Sequence, residues 1–263
     1  MSGAALPDAR LRGAAVAVVS GSGLAVVPEG VVVEDEIGYG RLGWPVTQVS
    51  GHPSRLLFGR WQGDGPLVLL ACGRPHLYEG WSSDELERPV GDLARWGVRR
   101  LVLTNASGGL AAGLDAGTLL VVDEVVDLQT APHDEPVRLA ATAAGLCTAA
   151  CQALGWQAPV SRGRYVAVAG PQYETPAEAA WLAGLGDAVG MSAAPELRAA
   201  ARHALETVVV SCIVNRSGEP VGHADVVTAG GRLAGALAPA LGALLTACWP
   251  DVLAVSHRSR DAS

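Results

Sequence analysis

The sequence predicts a single α/β domain over residues 1–263, built on a mixed, partly closed β-sheet flanked by helices. Three observations predict it. Short apolar runs such as Ala14–Val19 and Thr207–Val214 read as strands buried on both faces. Stretches with helical spacing, such as Asp84–Trp96, alternate with those runs. Clusters of Gly, Pro, Ser and Asn punctuate the boundaries. The composition agrees: 49% apolar and 17% charged residues suit a chain with a large core, able to bury roughly three quarters of its unfolded surface.

Taken in order, Ala14–Val19 is a buried strand opening into Ser20-Gly21-Ser22-Gly23. Backbone N–H groups in such a loop can cradle an anion, although a plain turn fits equally well. It is not a dinucleotide fingerprint, because Val26 stands where the third glycine would be. Val46–Val49, Arg55–Phe58 and Pro66–Cys72 read as short strands, separated by the turns Gly51-His52-Pro53-Ser54 and Gly63-Asp64-Gly65. A lone turn histidine such as His52 is ordinarily solvated. At the end of the third strand, Arg74 and His76 are two residues apart on extended chain and point to the same side. An arginine there offers a planar fork for the oxygens of an anion. Asp84–Trp96 is helical, and Arg99–Thr104 is a strand running into the loop Asn105-Ala106-Ser107-Gly108-Gly109.

Thr118–Val122 is a further strand, followed by a loop at Gln129–Pro136 and a helix from Val137 to Leu154. Arg164–Ala169 is a strand leading into two loops, Gly170-Pro171 and Gly190-Met191-Ser192, that bracket a short helical segment. The first loop offers Glu174 behind Tyr173. The second offers the Ser192 hydroxyl just before a helix start at Pro195-Glu196, with helix continuing over Arg198–Leu205. Taken singly, each is an ordinary strand-to-helix connection. Together they suit a planar, hydrogen-bonding ring beside an oxygen-rich group. Thr207–Val214 is a buried strand ending at Asn215, which by itself reads as a strand-end cap. Leu233, Leu237, Leu241 and Leu244 share one face of a helix over Leu233–Pro250, shorter and richer in small residues than the ~20 apolar residues of a membrane span. Residues 1–13 and 251–263 read as mobile ends.

Charge and cysteine use narrow the function. A net charge of −7 argues against nucleic acid and anionic membranes as partners, so any anion site must be local. The basic residues are all Arg, which excludes Lys Schiff-base chemistry. Cys72, Cys147, Cys151, Cys212 and Cys248 are odd in number and set among apolar neighbours, with no metal-binding spacing. They read as reduced thiols of a cytoplasmic protein, and no signal-peptide pattern opens the chain.

Several of these loops carry a resemblance. Gly-Pro-x-aromatic-Glu-Thr-x-x-Glu at Gly170–Glu178 and Gly-Met-Ser-x-x-Pro-Glu at Gly190–Glu196 resemble the matching segment of trimeric purine nucleoside phosphorylases. So do Gly21-Ser22-Gly23, Gly51-His52 with Leu56-x-Phe58-Gly59, Gly73-Arg74-x-His76-x-Tyr78-Glu79-Gly80 and Thr104-Asn105-Ala106-x-Gly108-Gly109-Leu110. The resemblance covers Ala14 to Cys248. It implies the nucleoside phosphorylase fold, a homotrimer, and phosphorolysis of inosine- or guanosine-type nucleosides to base and ribose 1-phosphate. It implies phosphate binding by Ser22, Arg74, His76, Ser192 and the Ala106 backbone, with His52 close by. Tyr78 and His223 would meet the ribose, and Tyr173, Val189 and Met191 the base. Glu174 and Asn215 would stabilise the departing purine, making them, with His76, the catalytic set; Asn105 is either a phosphate-loop organiser or a ligand. Asn at position 215 matches members acting on 6-oxopurines, whereas methylthioadenosine phosphorylases carry Asp. No metal or organic cofactor is implied, since phosphate is itself the nucleophile.

The chain departs from the family pattern after the Thr118–Val122 strand. Asp123-Glu124-Val125-Val126-Asp127 replaces the usual Asp-His-x-Asn, and the long loop that donates an aromatic residue to the neighbouring subunit is cut short. His133 is a candidate substitute. This leaves two alternatives: a phosphorylase for methylthioadenosine or another unusual nucleoside, and an inactive nucleoside-binding homologue.

Overall fold

The computed structural model describes residues 9–130, 137–155 and 158–253. A 3-10 turn at Ala9–Leu11 precedes β1 (Val16–Ser20), β2 (Val31–Gly38), α1 (Tyr39–Leu42), β3 (Arg55–Trp61) and β4 (Leu67–Cys72). Next come a 3-10 turn at Leu77–Glu79, α2 (Ser83–Arg95), β5 (Arg100–Gly109), β6 (Leu119–Asp127) and β7 (Val137–Ala140). A 3-10 turn at Ala144–Leu146 leads into α3 (Cys147–Gly155), then β8 (Val160–Ala167), α4 (Pro176–Leu182), β9 (Ala188–Gly190) and α5 (Ala194–Arg202). β10 (Glu206–Arg216), α6 (His223–Cys248) and α7 (Pro250–Leu253) complete the described chain.

One sheet organises the domain. Its order is β10-β6-β8-β9-β5-β1-β4-β3-β2, with β7 on β6. β10 also pairs with β5, so five strands close into a ring while β1, β4, β3 and β2 extend as an open wing. The mixed, partly closed sheet expected from the sequence is therefore present. The central strands are apolar on both faces because helices cover both. Leu101, Leu103 and Val209 pack toward Val90 and Leu93 of α2 and Leu197 of α5. Val16, Val18, Val102 and Val208 pack toward Leu237, Leu241, Leu244 and Leu245 of α6. Helix starts follow local chemistry: Ser82 caps α2 and Thr175 caps α4, each in a reciprocal capping box with a glutamate three residues on.

Several expectations fail for identifiable reasons. Val46–Val49 is not a strand. The Thr47 amide donates to the Ser54 hydroxyl and the Thr47 hydroxyl accepts from the Val49 amide, in place of a ladder. The edge strand is instead β2, whose Val31–Gly38 sequence is exposed on both faces and so has no apolar period. β5 runs on through Asn105–Gly109, expected as a loop, because β10 pairs with it along its whole length. The helix expected over Val137–Leu154 begins as a strand, β7, which covers the free edge of β6; helix starts only at Cys147. Tertiary pairing there overrides an alanine-rich composition. The last helix starts at His223, ten residues before the expected Leu233, and its 26 residues are long enough to cross a membrane, contrary to the estimate from Leu233–Pro250. Its apolar face is instead packed on the sheet. The described parts of the expected mobile ends also pack: Leu11 and Leu253 are buried.

Candidate active site

The carboxyl ends of the parallel strands β1, β4, β5 and β10 open onto one cleft, the usual place for a ligand in such a sheet. About 610 Å³ of space, continuous with solvent, lies between its walls. Its lining brings together Ser22, Arg74, His76, Tyr78, Ala106, Tyr173, Glu174, Val189, Met191, Ser192, Asn215 and His223. His52 does not line the cleft but lies one layer behind it. His133 lies outside the described residues.

One end of the cleft is built around Arg74, whose side chain is almost wholly removed from water. Its Nε pairs with Glu196 of α5, its Nη1 donates to the Thr104 carbonyl at 2.8 Å, and Ser192 Oγ stands 3.5 Å from Nη1. Nη2 has no partner. A buried guanidinium N–H without an acceptor is costly, and an anion in the adjoining cleft would satisfy it. Gly21 makes the close approach possible: a Cβ there would stand 2.9 Å from Asn105 Cα and 3.2 Å from Arg74 Nη1. Ser192 is set by the Tyr165 hydroxyl, which accepts from its amide at 3.3 Å, and by the buried Ala193, held at φ 72°. A left-handed alanine is strained, and such strain gathers at functional sites.

His52 fixes Ser22 from behind. The Arg74 amide donates to His52 Nδ1 at 2.8 Å, so the ring proton sits on Nε2, 2.8 Å from Ser22 Oγ. The Ser22 hydroxyl accepts that proton and keeps its own hydrogen for the cleft. Burial, then the neighbouring His76 and Arg74, push the His52 pKa down to about 3, which keeps this ring neutral. Glu79 holds His76 in a similar way, accepting from its amide at 2.8 Å and lying 3.2 Å from Nδ1. Burial raises the Glu79 pKa, but hydrogen bonds from His76, Thr47 and Gln48 outweigh it and hold the carboxyl at about 2. The His76 ring stacks on Tyr78 with centroids 4.8 Å apart.

The other end is half-exposed and offers hydrogen bonds. Asn215 owes its direction to a β-bulge: the β10–β5 register slips between Ile213 and Asn215, bringing both Val214 and Asn215 to the cleft. Its Nδ2 donates to the Arg216 carbonyl at 2.9 Å, leaving Oδ1 and a second N–H for a ligand. Glu174 Oε2 accepts from Ser217 at 2.7 Å. Tyr173, Val189 and Met191 supply flat and apolar surface between these groups. On the cleft floor, Asn105 Oδ1 accepts from Ser211 at 2.7 Å, while Asn105 Nδ2 and the Ser107 hydroxyl are buried without partners. His223 opens α6, its Nε2 3.0 Å from the Ser50 carbonyl. After β6, the root of the shortened loop is anchored by Asp127, which pairs with Arg198 and accepts from the Gln129 amide at 2.8 Å.

Sequence reasoning missed Glu196, Glu79, Tyr165 and Ser217 as supports of the cleft. Glu79 carried a signal, its three-residue spacing from His76 at a helix start. Glu196 stands in the Gly190–Glu196 motif, but its pairing with Arg74, 122 residues away, carried no signal, and neither did that of Ser217 with Glu174, 43 residues away. Among the described residues, no group of three or more His, Cys, Asp or Glu side chains gathers as a metal site.

Comparisons with known proteins identify the family. The family model described as Phosphorylase superfamily matches residues 15–246. Purine nucleoside phosphorylase 1 of Geobacillus stearothermophilus is 31% identical over 232 residues, covering 81% of this chain and 83% of its own. Purine nucleoside phosphorylase 1 of Bacillus subtilis (strain 168) is 32% identical over 230 residues, covering 81% and 84%. Among solved structures, Schistosoma mansoni purine nucleoside phosphorylase in complex with inosine superimposes with a TM-score of 0.74 at 28% identity, over 89% of this chain and 90% of that one.

Proposed function

The chain belongs to the phosphorylase superfamily, and from that premise we propose that it cleaves 6-oxopurine ribonucleosides with inorganic phosphate, giving the free base and ribose 1-phosphate. It is an enzyme of the purine nucleoside phosphorylase type. The observation that carries the finer reading is the unpartnered, buried Arg74 Nη2 in a cleft whose opposite end presents Glu174 and Asn215.

In this reading, phosphate rests against Arg74, Ser22, Ser192, His76 and the Ala106 backbone. One phosphate oxygen forms a bond to the anomeric carbon of the ribose as the glycosidic bond to the purine breaks. The bond pair leaves with the purine, which takes a proton from solvent. Positive charge developing on the sugar is met by the phosphate dianion. Negative charge developing on the purine is met by Asn215, whose amide can donate to the 6-oxo oxygen while its carbonyl accepts from a ring N–H. Glu174 accepts from a second ring N–H. The Asn215 N–H bond to the 6-oxo oxygen strengthens as that charge grows, which lowers the barrier rather than merely tightening binding, while Glu174 orients the base. Tyr173, Val189 and Met191 hold the base plane, and Tyr78 and His223 align the ribose.

The chemistry needs no metal or organic cofactor, because phosphate is the nucleophile. A homotrimer is proposed from the family resemblance, and light scattering on the purified protein tests it. A cytoplasmic location is proposed from the five free thiols, four of them buried. Assays of inosine, guanosine, adenosine and methylthioadenosine, with and without phosphate, test the substrate class. Phosphate-dependent turnover of the first two is expected. Preference for methylthioadenosine would overturn the 6-oxopurine assignment.

A further inference from the structure

Resting on the reading of the cleft as a purine site, we propose that Ser217 is the positioning residue for Glu174, fixing which carboxylate oxygen faces the base. Glu174 sits on the connection before α4 and is half-buried. Its Oε2 accepts from the Ser217 hydroxyl at 2.7 Å, so Oε1 is left for a ligand N–H. Ser217 is not itself among the residues lining the cleft. It therefore acts through Glu174 rather than on the substrate.

Ser217 is well placed for this because its own backbone is locked to the sheet. Its amide donates to the Gly109 carbonyl at 3.0 Å, tying the turn after β10 to the end of β5. The next residue, Gly218, has φ 85°, and a Cβ there would stand 3.0 Å from Ala179 Cβ and 3.2 Å from Pro176 Cα. Only glycine lets this turn lie on the first turns of α4, immediately after Glu174. The strand ends that carry Asn215 and the connection that carries Glu174 are thus held at one spacing. The Ser217 hydroxyl is the side-chain link between them. A single donor on one oxygen also leaves the second oxygen with a defined direction, which a freely rotating carboxylate lacks.

The test uses the full chain and two readouts, hypoxanthine binding by calorimetry and steady-state phosphorolysis of inosine. Ser217→Ala is expected to weaken hypoxanthine binding and lower kcat/KM for inosine by about tenfold. The KM for phosphate should stay within about twofold, since the anion end is untouched. Ser217→Thr should recover most of the loss and Ser217→Val should not, although the two differ only by the hydroxyl. In a Glu174→Ala background, Ser217→Ala should add nothing. The proposal is overturned if Ser217→Ala and Ser217→Val match wild type in both readouts. It is equally overturned if the loss persists in the Glu174→Ala background, or if the phosphate KM moves with it, since a general structural role would do both. Wild-type protein that binds hypoxanthine but makes no ribose 1-phosphate would sink the proposed reaction while the binding cycle still decides Ser217; wild type that binds no purine would overturn both.

Discussion

At one end of the cleft, Arg74, Ser192, Glu196 and His52 are each less than a tenth exposed, and every one is held by at least one partner. At the other end, Tyr173, Glu174 and Asn215 are half-exposed and sit on a connection, a turn and a bulge. The difference matches what each end does in the proposed reaction. A small, strongly hydrated anion is captured only by charge and donors already in place, so the first end is preorganised at the cost of burying an ion pair. A purine brings its own apolar area and a few hydrogen bonds, so the second end can rely on direction rather than charge. In the proposed reaction, the anion end thus fixes the chemistry and the base end the substrate.

The largest effect that would sharpen this contrast is expected at Arg74. Arg74→Ala should lower phosphorolysis by about a thousandfold and also destabilise the fold, because Glu196 is left buried without a counter-charge. Adding Glu196→Gln should restore thermal stability but not activity. Recovery of activity in that double variant would break the assignment of Arg74 to the anion. Next in size, Glu174→Ala should cost about a hundredfold in kcat/KM for inosine with the phosphate KM little changed; parallel loss of phosphate affinity would mean the two ends are not separable.

Asn215→Asp should act on choice rather than on rate alone. A carboxylate accepts from a 6-amino group but repels a 6-oxo oxygen. Inosine turnover should fall and adenosine turnover rise, moving their ratio by at least about tenfold. An unchanged ratio in a competition assay would remove Asn215 from base reading. A separate effect concerns His52 and stability rather than turnover. Its pKa is about 3 in the folded state against an ordinary 6.5, so between those values the unfolded chain binds more protons. Stability is then full above pH 6.5 and declines as the pH falls toward 3. Glu79 adds a loss of the same sign between its ordinary 4.5 and about 2. Unfolding free energies from urea titrations between pH 7 and 4 should fall, by about 3 kcal/mol at most from His52, and His52→Gln should flatten that slope.

The same division explains what the sequence revealed. The strands of the ring and wing were visible wherever burial on both faces left an unbroken apolar run, as in Val16–Ser20 and Leu67–Cys72. β2 was not, because an exposed edge imposes no pattern. β9 is three residues long, and its Ala188–Gly190 reads as turn until β5 and β8 flank it. Arg74, His76 and Ser192 were legible because the loops that carry them have distinctive local sequences. The pairings of Glu196 with Arg74 and of Ser217 with Glu174 were not, since each forms only when the fold brings distant partners together. His52 is expected close to the anion, and in the structure it lies behind the cleft, bonded to Ser22 Oγ and to the Arg74 amide.

The central claim is that one cleft sets an anion against the sugar–base bond of a purine nucleoside. Phosphorus NMR of the protein with inosine and phosphate tests it most directly. The account predicts one inorganic phosphate converted to a ribose phosphate ester for each hypoxanthine released, and no release without phosphate. Hypoxanthine appearing while the phosphate signal stays unchanged would contradict it.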